Sequence, residues 1–319
     1  MPVAGALAAR FGCRLMIGVA SLFICFSLPL LAAVETVTAL IAALLIFGAA
    51  LGTVDVVVNI QAVIVEKASG KVLMSGFHGL WSIGGIAGAG VISGLLGAGM
   101  SLHSAELCAA GIIAILIIVF GKHLLPYGSD EKGAPLFIRP KGAVLFIGSL
   151  CFIVFLAEGA MLDWSALFLT SLRNIDYSYA GLGYSLFSVA MTLGRLGGDR
   201  AVQTFGGKRI LVWGSGCAAA GLALAIAIPY WPAAFIGFGL VGLGASNIVP
   251  VLFSALGRQQ AMPANLAVAA VTTLGYSGIL AGPALIGLAA QATNLSTALL
   301  GVAAMLMIIT VSSRIAAQP

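Results

Sequence analysis

The sequence predicts an all-α integral membrane protein with about ten transmembrane helices, and three observations predict it. Of 319 residues, 61% are hydrophobic and only 8% are charged, with a mean hydropathy of +1.14. Soluble domains carry about 25% charged residues, so this chain could not cover a water-facing surface. The apolar residues fall in long runs, and about 20 of them cross a hydrocarbon core of roughly 30 Å. Backbone groups in lipid must be satisfied internally, so each run reads as a helix. Finally, the basic residues alternate between the two sides of the membrane.

The predicted spans are 15–34, 37–64, 73–98, 104–121, 142–170, 178–197, 210–229, 233–256, 264–290 and 296–312. With the N-terminal segment in the cytoplasm, fourteen of the fifteen Lys and Arg residues fall on the cytoplasmic side. Only Arg173 lies outside, as the positive-inside rule requires. An even number of spans puts both termini in the cytoplasm. The first run could be a signal peptide, but it is longer than a typical signal core and nine more spans follow it. Segment 122–141 is polar and holds Pro126, Pro135 and Pro140. It reads as a cytoplasmic linker between an N-terminal bundle of four spans (1–121) and a C-terminal bundle of six (142–319).

Several function classes are excluded. The five cysteines are scattered with no CxxC pair, so neither a disulfide framework nor a zinc site is supported. The basic balance does not indicate nucleic acid, because the charges sit in short loops rather than on one face. His78, His103 and His123 are isolated from one another, and no cluster of nucleophile, base or metal ligands suggests an enzyme. No cofactor is expected. No P-loop is present, so any energy the chain uses would come from a gradient or another subunit.

Charges concentrate in one loop, GRLGGDRAVQTFGGKR, residues 194–209, with a shorter echo, GALAARFGCR, at 5–14. Aligned on Arg10–Phe11–Gly12 and Arg200…Phe205–Gly206, the second copy has four extra residues, and Ala9 stands where its Asp would be. The second copy, with Gly194, Gly198, Asp199, Arg200, Gly206, Lys208 and Arg209, resembles the loop between helices two and three, and eight and nine, of the major facilitator superfamily. The first copy keeps only its basic half, Arg10 and Arg14. The resemblance covers essentially the whole chain, aligned to helices three to twelve of a twelve-helix transporter, with Met1–Pro2 falling in the tail of helix two. It implies a major facilitator-type bundle lacking helices one and two, in which these loops latch the bundles during the transport cycle.

Ionisable residues inside spans are costly and mark function by default. Asp55 and Asn59, four apart, share a helix face, whereas Gln61 lies on another. They resemble the acidic residue and following Asn in helix four of fucose-permease-like symporters, which implies substrate binding and proton coupling. His78 and Trp81 lie three apart near the cytoplasmic end, where His78 could approach Asn59 or Asp55. Glycines 84, 88, 90 and 94 are spaced for helix packing. Glu158 and Asp163 stand about 140° apart on a regular helix, sharing a face only if the helix breaks at Gly159. Glu158 is expected to line a cavity and Asp163 to lie near the outer surface. Asn247 sits near the midplane, suited to a polar solute, with Pro250 able to bend the helix. Tyr276 precedes an expected break at Gly282–Pro283.

The expected function is secondary active transport of a small polar or amphiphilic solute by alternating access, coupled to protons. The chain would work as a monomer in the lipid bilayer of the plasma membrane, the inner membrane of a bacterium. The alternatives are a drug or metabolite exporter of the same superfamily, or a truncated remnant that does not transport.

Overall fold

The computed structural model describes residues 1–129 and 139–316, and every long element within them is an α-helix. The predicted linker therefore lies in part, 130–138, outside the described residues. In chain order the helices are α1 (Pro2–Phe11), α2 (Cys13–Ala33), α3 (Val37–Ser69), α4 (Met74–Gly97), α5 (Leu102–Phe120), α6 (Ala143–Arg173) and α7 (Leu182–Leu196). There follow α8 (Gly198–Phe205), α9 (Gly207–Ala227), α10 (Trp231–Ala245), α11 (Ile248–Leu256), α12 (Ala264–Ala292) and α13 (Leu295–Ala316).

Among the described residues, nine stretches are long and apolar enough to cross a membrane, with α10 and α11 counted as one. The remaining predicted span, 178–197, is shortened at both ends. Asp176 folds its own chain into a 3-10 turn, accepting a bond from the Ser178 amide at 2.9 Å. Gly197 then separates α7 from α8. What remains is a 15-residue helix, about 22 Å long at 1.5 Å per residue.

The chain forms two units. The first holds Met1–Val65, Trp81–Arg139 and Met262–Ala269. Here α2 packs against α5, and α1 turns into α2 at Gly12. The segment after α5 lies on that turn: the Cys13 and Arg14 amides donate to the carbonyls of Tyr127 and Leu125, at 3.4 and 2.8 Å. Gln61 of α3 holds the same segment, its Oε1 accepting from the Leu125 amide at 2.9 Å.

The second unit holds Glu66–Leu80, Pro140–Ala261 and Ala270–Pro319. Helix α10 packs on α9 and α7, and α13 on α9 and α6. Phe168 and Phe238, both fully buried, meet edge to face at 5.8 Å. This is the favoured geometry for aromatic rings.

Of three helix features read from the sequence, the break at Gly282–Pro283 is corrected, the Gly159 condition is not met and the bend at Pro250 is present. Helix α6 runs unbroken through Gly159, so Glu158 and Asp163 do not share a face, and Asp163 is exposed. Helix α12 continues through Pro283 without a break. The expected bend near Pro250 falls three residues earlier, at Ser246–Asn247, between α10 and α11. Proline has no N–H to offer the carbonyl four residues back, which here is that of Ser246. The α4 glycines also differ from expectation. A Cβ at Gly84, Gly88, Gly90 or Gly94 would meet no atom within 4 Å, so no described element packs on them.

Candidate functional site: buried charges and two loop copies

In the first unit, Asp55 is buried in the middle of α3. The Asn59 side chain donates to the Asp55 carbonyl at 2.9 Å and to its carboxylate at 3.4 Å. The face sharing expected from the four-residue spacing is thus a direct contact.

The second unit carries an ion pair inside membrane helices. Arg195, in the last turn of α7, is 8% exposed. Its Nη2 lies 3.7 Å from Glu158 Oε1 of α6, which makes no hydrogen bond of its own among the described residues. Arg195 Nε donates to the Ser246 carbonyl at 3.4 Å, the acceptor that Pro250 leaves without a backbone donor. Taking charges out of water is costly, and partners in place offset that cost. The sequence expectation held Glu158 but not Arg195, which was counted among the loop charges. The missed signal was its place before Gly197, still within the apolar run.

Asn247 is the N-cap of α11; its side-chain NH2 is occupied, whereas its Oδ1 is buried with no partner among the described residues. Nδ2 donates to the Gly194 carbonyl and to Ser246 Oγ, each at 2.9 Å. A Cβ on Gly194 would collide with Ser246, and one on Gly198 with Asn247. Two of the loop glycines read from the sequence, Gly194 and Gly198, are therefore points where α7 and α8 press on the α10–α11 break. Tyr276 stacks edge to face on Phe155 at 5.5 Å. His78 Nδ1 donates to the Met74 carbonyl at 3.0 Å, and its ring lies 5.9 Å from that of Phe253. Trp81 is exposed.

The charged loop closes on the first turn of α4. The first backbone N–H groups of a helix lack intrahelical partners. Here two carboxylates serve four of them. Glu66 Oε2 accepts from the amides of Leu73 and Met74, both at 2.8 Å. Asp199 Oδ1 and Oδ2 accept from those of Ser75 and Gly76, both at 2.9 Å. A carboxylate at a helix N-terminus also meets the positive end of the dipole. Burial pushes the Asp199 carboxyl above its ordinary range. The two amide bonds pull it back, and the Glu66 charge adds to the rise. Arg200, Lys208 and Arg209 are exposed.

The first copy is built differently. Helices α1 and α8 both end in Phe–Gly, and the two glycines have nearly the same backbone: φ 84°, ψ 157° at Gly12 and φ 79°, ψ 149° at Gly206. Only glycine adopts such a conformation readily. The helices that follow, α2 and α9, both have 21 residues. In this register no residues are inserted, and Asp199 aligns with Gly5 rather than having its place taken by Ala9. Gly5 lies against the start of α12. Its carbonyl accepts from Asn265 Nδ2 at 3.3 Å, and a Cβ on it would sit 2.6 Å from Ala269 Cβ. Arg10 is exposed, its guanidinium over the Phe11 ring. Arg14 donates to the carbonyls of Leu124 and Lys122 at 2.9 and 2.7 Å.

Many membrane-spanning helices, buried charges within them and a repeated charged loop define a multi-pass membrane transporter. The chain is 53% identical over 314 residues to an uncharacterized MFS-type transporter of Yersinia pestis, covering 98% of this chain and 82% of that protein. It is 30% identical to the membrane protein MosC of Rhizobium meliloti, covering 98% of this chain and 77% of that one. No protein-family model matches it. A crystal structure of the E. coli fucose:proton symporter superposes with a TM-score of 0.79 at 17% identity, covering 100% of this chain and 87% of that chain. The chain belongs to the major facilitator superfamily, and it is a membrane transporter rather than an enzyme.

Proposed function

We propose that the chain transports a small polar solute by alternating access, coupled to protons, as a single chain in a bacterial inner membrane with both termini in the cytoplasm. The observation that carries this reading is the pair within membrane helices between buried Arg195 and partly buried Glu158. Such residues mark ion and proton pathways in membrane proteins. Asp55, with Asn59 beside it, is the carboxylate that loads and releases the proton. Glu158 exchanges between Arg195 and a protonated state as the solute site changes access. Tyr276 and His78 border the pathway, and Asn247 positions the end of α7. The loops with Arg10, Arg14, Gly194, Asp199, Arg200, Lys208 and Arg209 gate the cytoplasmic side. The moving parts are the bundles over 1–121 and 142–319, joined by 122–141. The likeness in fold to a fucose:proton symporter supports a polar solute and a proton.

The test uses the purified chain in liposomes, with a pH-sensitive dye and a panel of sugars, polyols and organic acids. A transported solute should carry protons inward with it. Asp55→Asn should abolish proton movement and uphill accumulation while the protein remains folded and inserted. Normal accumulation by that variant would sink the proton assignment. Proton-independent flux of every solute in the wild type would sink the symport reading.

A further inference from the structure

An open groove of about 590 Å³ runs along the outer surface of the first unit, between α2 and α5. It belongs to none of the residues assigned to the solute pathway. On α2 its lining recurs at helical spacing through Arg14, Gly18, Val19 and Leu22, and across it stand Ile117 and Ile118 of α5. From Arg14 to Leu22 is eight residues, about 12 Å along the helix axis. Leu22 and Ile118 are 63% and 79% exposed, so the groove faces whatever surrounds the membrane helices.

The two ends of the groove differ in charge. Arg14 closes one end, at the start of α2. Its Nε and Nη2 hold the carbonyls of Leu124 and Lys122, which fixes the guanidinium and leaves Nη1 without a bond among the described residues. Phe11, also part of the lining, carries the Arg10 guanidinium 5.3 Å above its ring. Lys122 is exposed at the same end. Among the described residues, the carboxylates nearest these helices in sequence, Glu35 and Glu106, lie at the opposite ends of α2 and α5. An apolar channel with a preorganised cation at its mouth matches a lipid tail joined to a negative headgroup. Arginine suits a phosphate better than a lysine would, because its planar fork can present paired donors.

We propose that this groove holds one acyl chain of an anionic phospholipid, with the lipid phosphate on Arg14. The tail lies over Gly18, where the absence of a side chain leaves the channel open. A Cβ there would meet no atom within 4 Å. A larger residue at position 18 would therefore occupy the groove without disturbing the packing of α2.

Native mass spectrometry of the purified chain, titrated with phosphatidylglycerol and phosphatidylcholine of identical tails, tests this. The wild type should retain one phosphatidylglycerol in preference to phosphatidylcholine. Arg14→Gln should reduce that preference about fivefold, the effect of roughly one basic residue at a membrane surface. Arg14 also holds the segment after α5, so that variant could act by loosening the fold. Gly18→Leu provides the independent arm: it should abolish retention of either lipid while leaving the unfolding temperature unchanged. Glycerophosphoglycerol, the headgroup without tails, should not compete. Equal retention of the two lipids by the wild type, unaltered retention by Gly18→Leu, or competition by the tail-free headgroup would each overturn the proposal.

Discussion

Helices α1 and α8 are two versions of one element. Each ends in Phe–Gly with the same backbone turn, and each leads into a 21-residue membrane helix. Yet each touches the start of another helix by a different kind of contact. Helix α8 sends the Asp199 carboxylate to two amides of α4. Helix α1 has Gly5 at that position and brings its backbone against Asn265 and Ala269 of α12. The position that needs to be small shifts with the contact. In the second copy it is Gly198, pressed on Asn247, and in the first it is Gly5, while Gly198 aligns with buried Ala4. One backbone frame thus serves a charged contact, which depends on protonation, and a steric contact, which does not.

The largest effect should come from removing the charge that sits beside the second copy. In the register set by the Phe–Gly ends, Arg195 aligns with Met1. Arg195→Met makes the second copy resemble the first and leaves the partly buried Glu158 without its cation. That should cost about 3–5 kcal/mol, read as a lower unfolding temperature in detergent. Adding Glu158→Gln should recover most of the loss, because no charge is then stranded. If the single variant is as stable as the wild type, the pair does not support the second copy's fold.

The next effect separates the two contacts. Asp199→Ala leaves the Ser75 and Gly76 amides without their acceptor and should cost about 2 kcal/mol. Hydrogen exchange at those two amides should accelerate, with no change at Ala267 or Ala269. Gly5→Ala should do the reverse. Its Cβ would need Ala269 to move, an overpacking cost of about 1–2 kcal/mol, with exchange rising at the start of α12 alone. Exchange that rises at both helix starts in either variant would mean the two contacts are not independent.

The spans were legible in the sequence because length and composition alone decide what can cross lipid. Asp55–Asn59 was legible because four residues make one helical turn. The register of the two copies was not. Matching charges paired Arg10 with Arg200 and required four extra residues. The sequence reading also paired Phe11–Gly12 with Phe205–Gly206, and the backbone keeps only that pairing, through the left-handed glycines Gly12 and Gly206. Arg195 was missed because its partner Glu158 lies 37 positions earlier in the chain (195 minus 158), a pairing that only packing reveals. Asn247 was legible as a polar residue in an apolar run. That its amide is taken by Gly194 depends on the helix break that Pro250 induces. The other carboxylate serving the start of α4, Glu66 of α3, gave no motif because it reaches forward across a turn to Leu73 and Met74.

The smallest effect is one of pH, and only the second copy should show it. Gly5 offers nothing to titrate, whereas Asp199 has its carboxyl raised above the ordinary value by burial. A raised value means that the folded contact favours the protonated acid relative to the unfolded chain. Its contribution is therefore fully present below the ordinary aspartate value of about 3.9 and is lost as pH rises through the raised value. Asp176 supplies the opposite sign within the same chain. Its bonds from Ser178 lower its value, so its contribution is present above the ordinary value and lost as pH falls through the lowered one. Unfolding temperatures measured upward from pH 4 should show a small decline that Asp199→Asn removes and Asp176→Asn leaves in place. Stability that instead rises over that window, and does so only while Asp199 is present, would mean that the two α4 amides outweigh burial at this carboxylate. The charged contact would then resist acid rather than favour it, and the contrast between the two copies would reverse in sign.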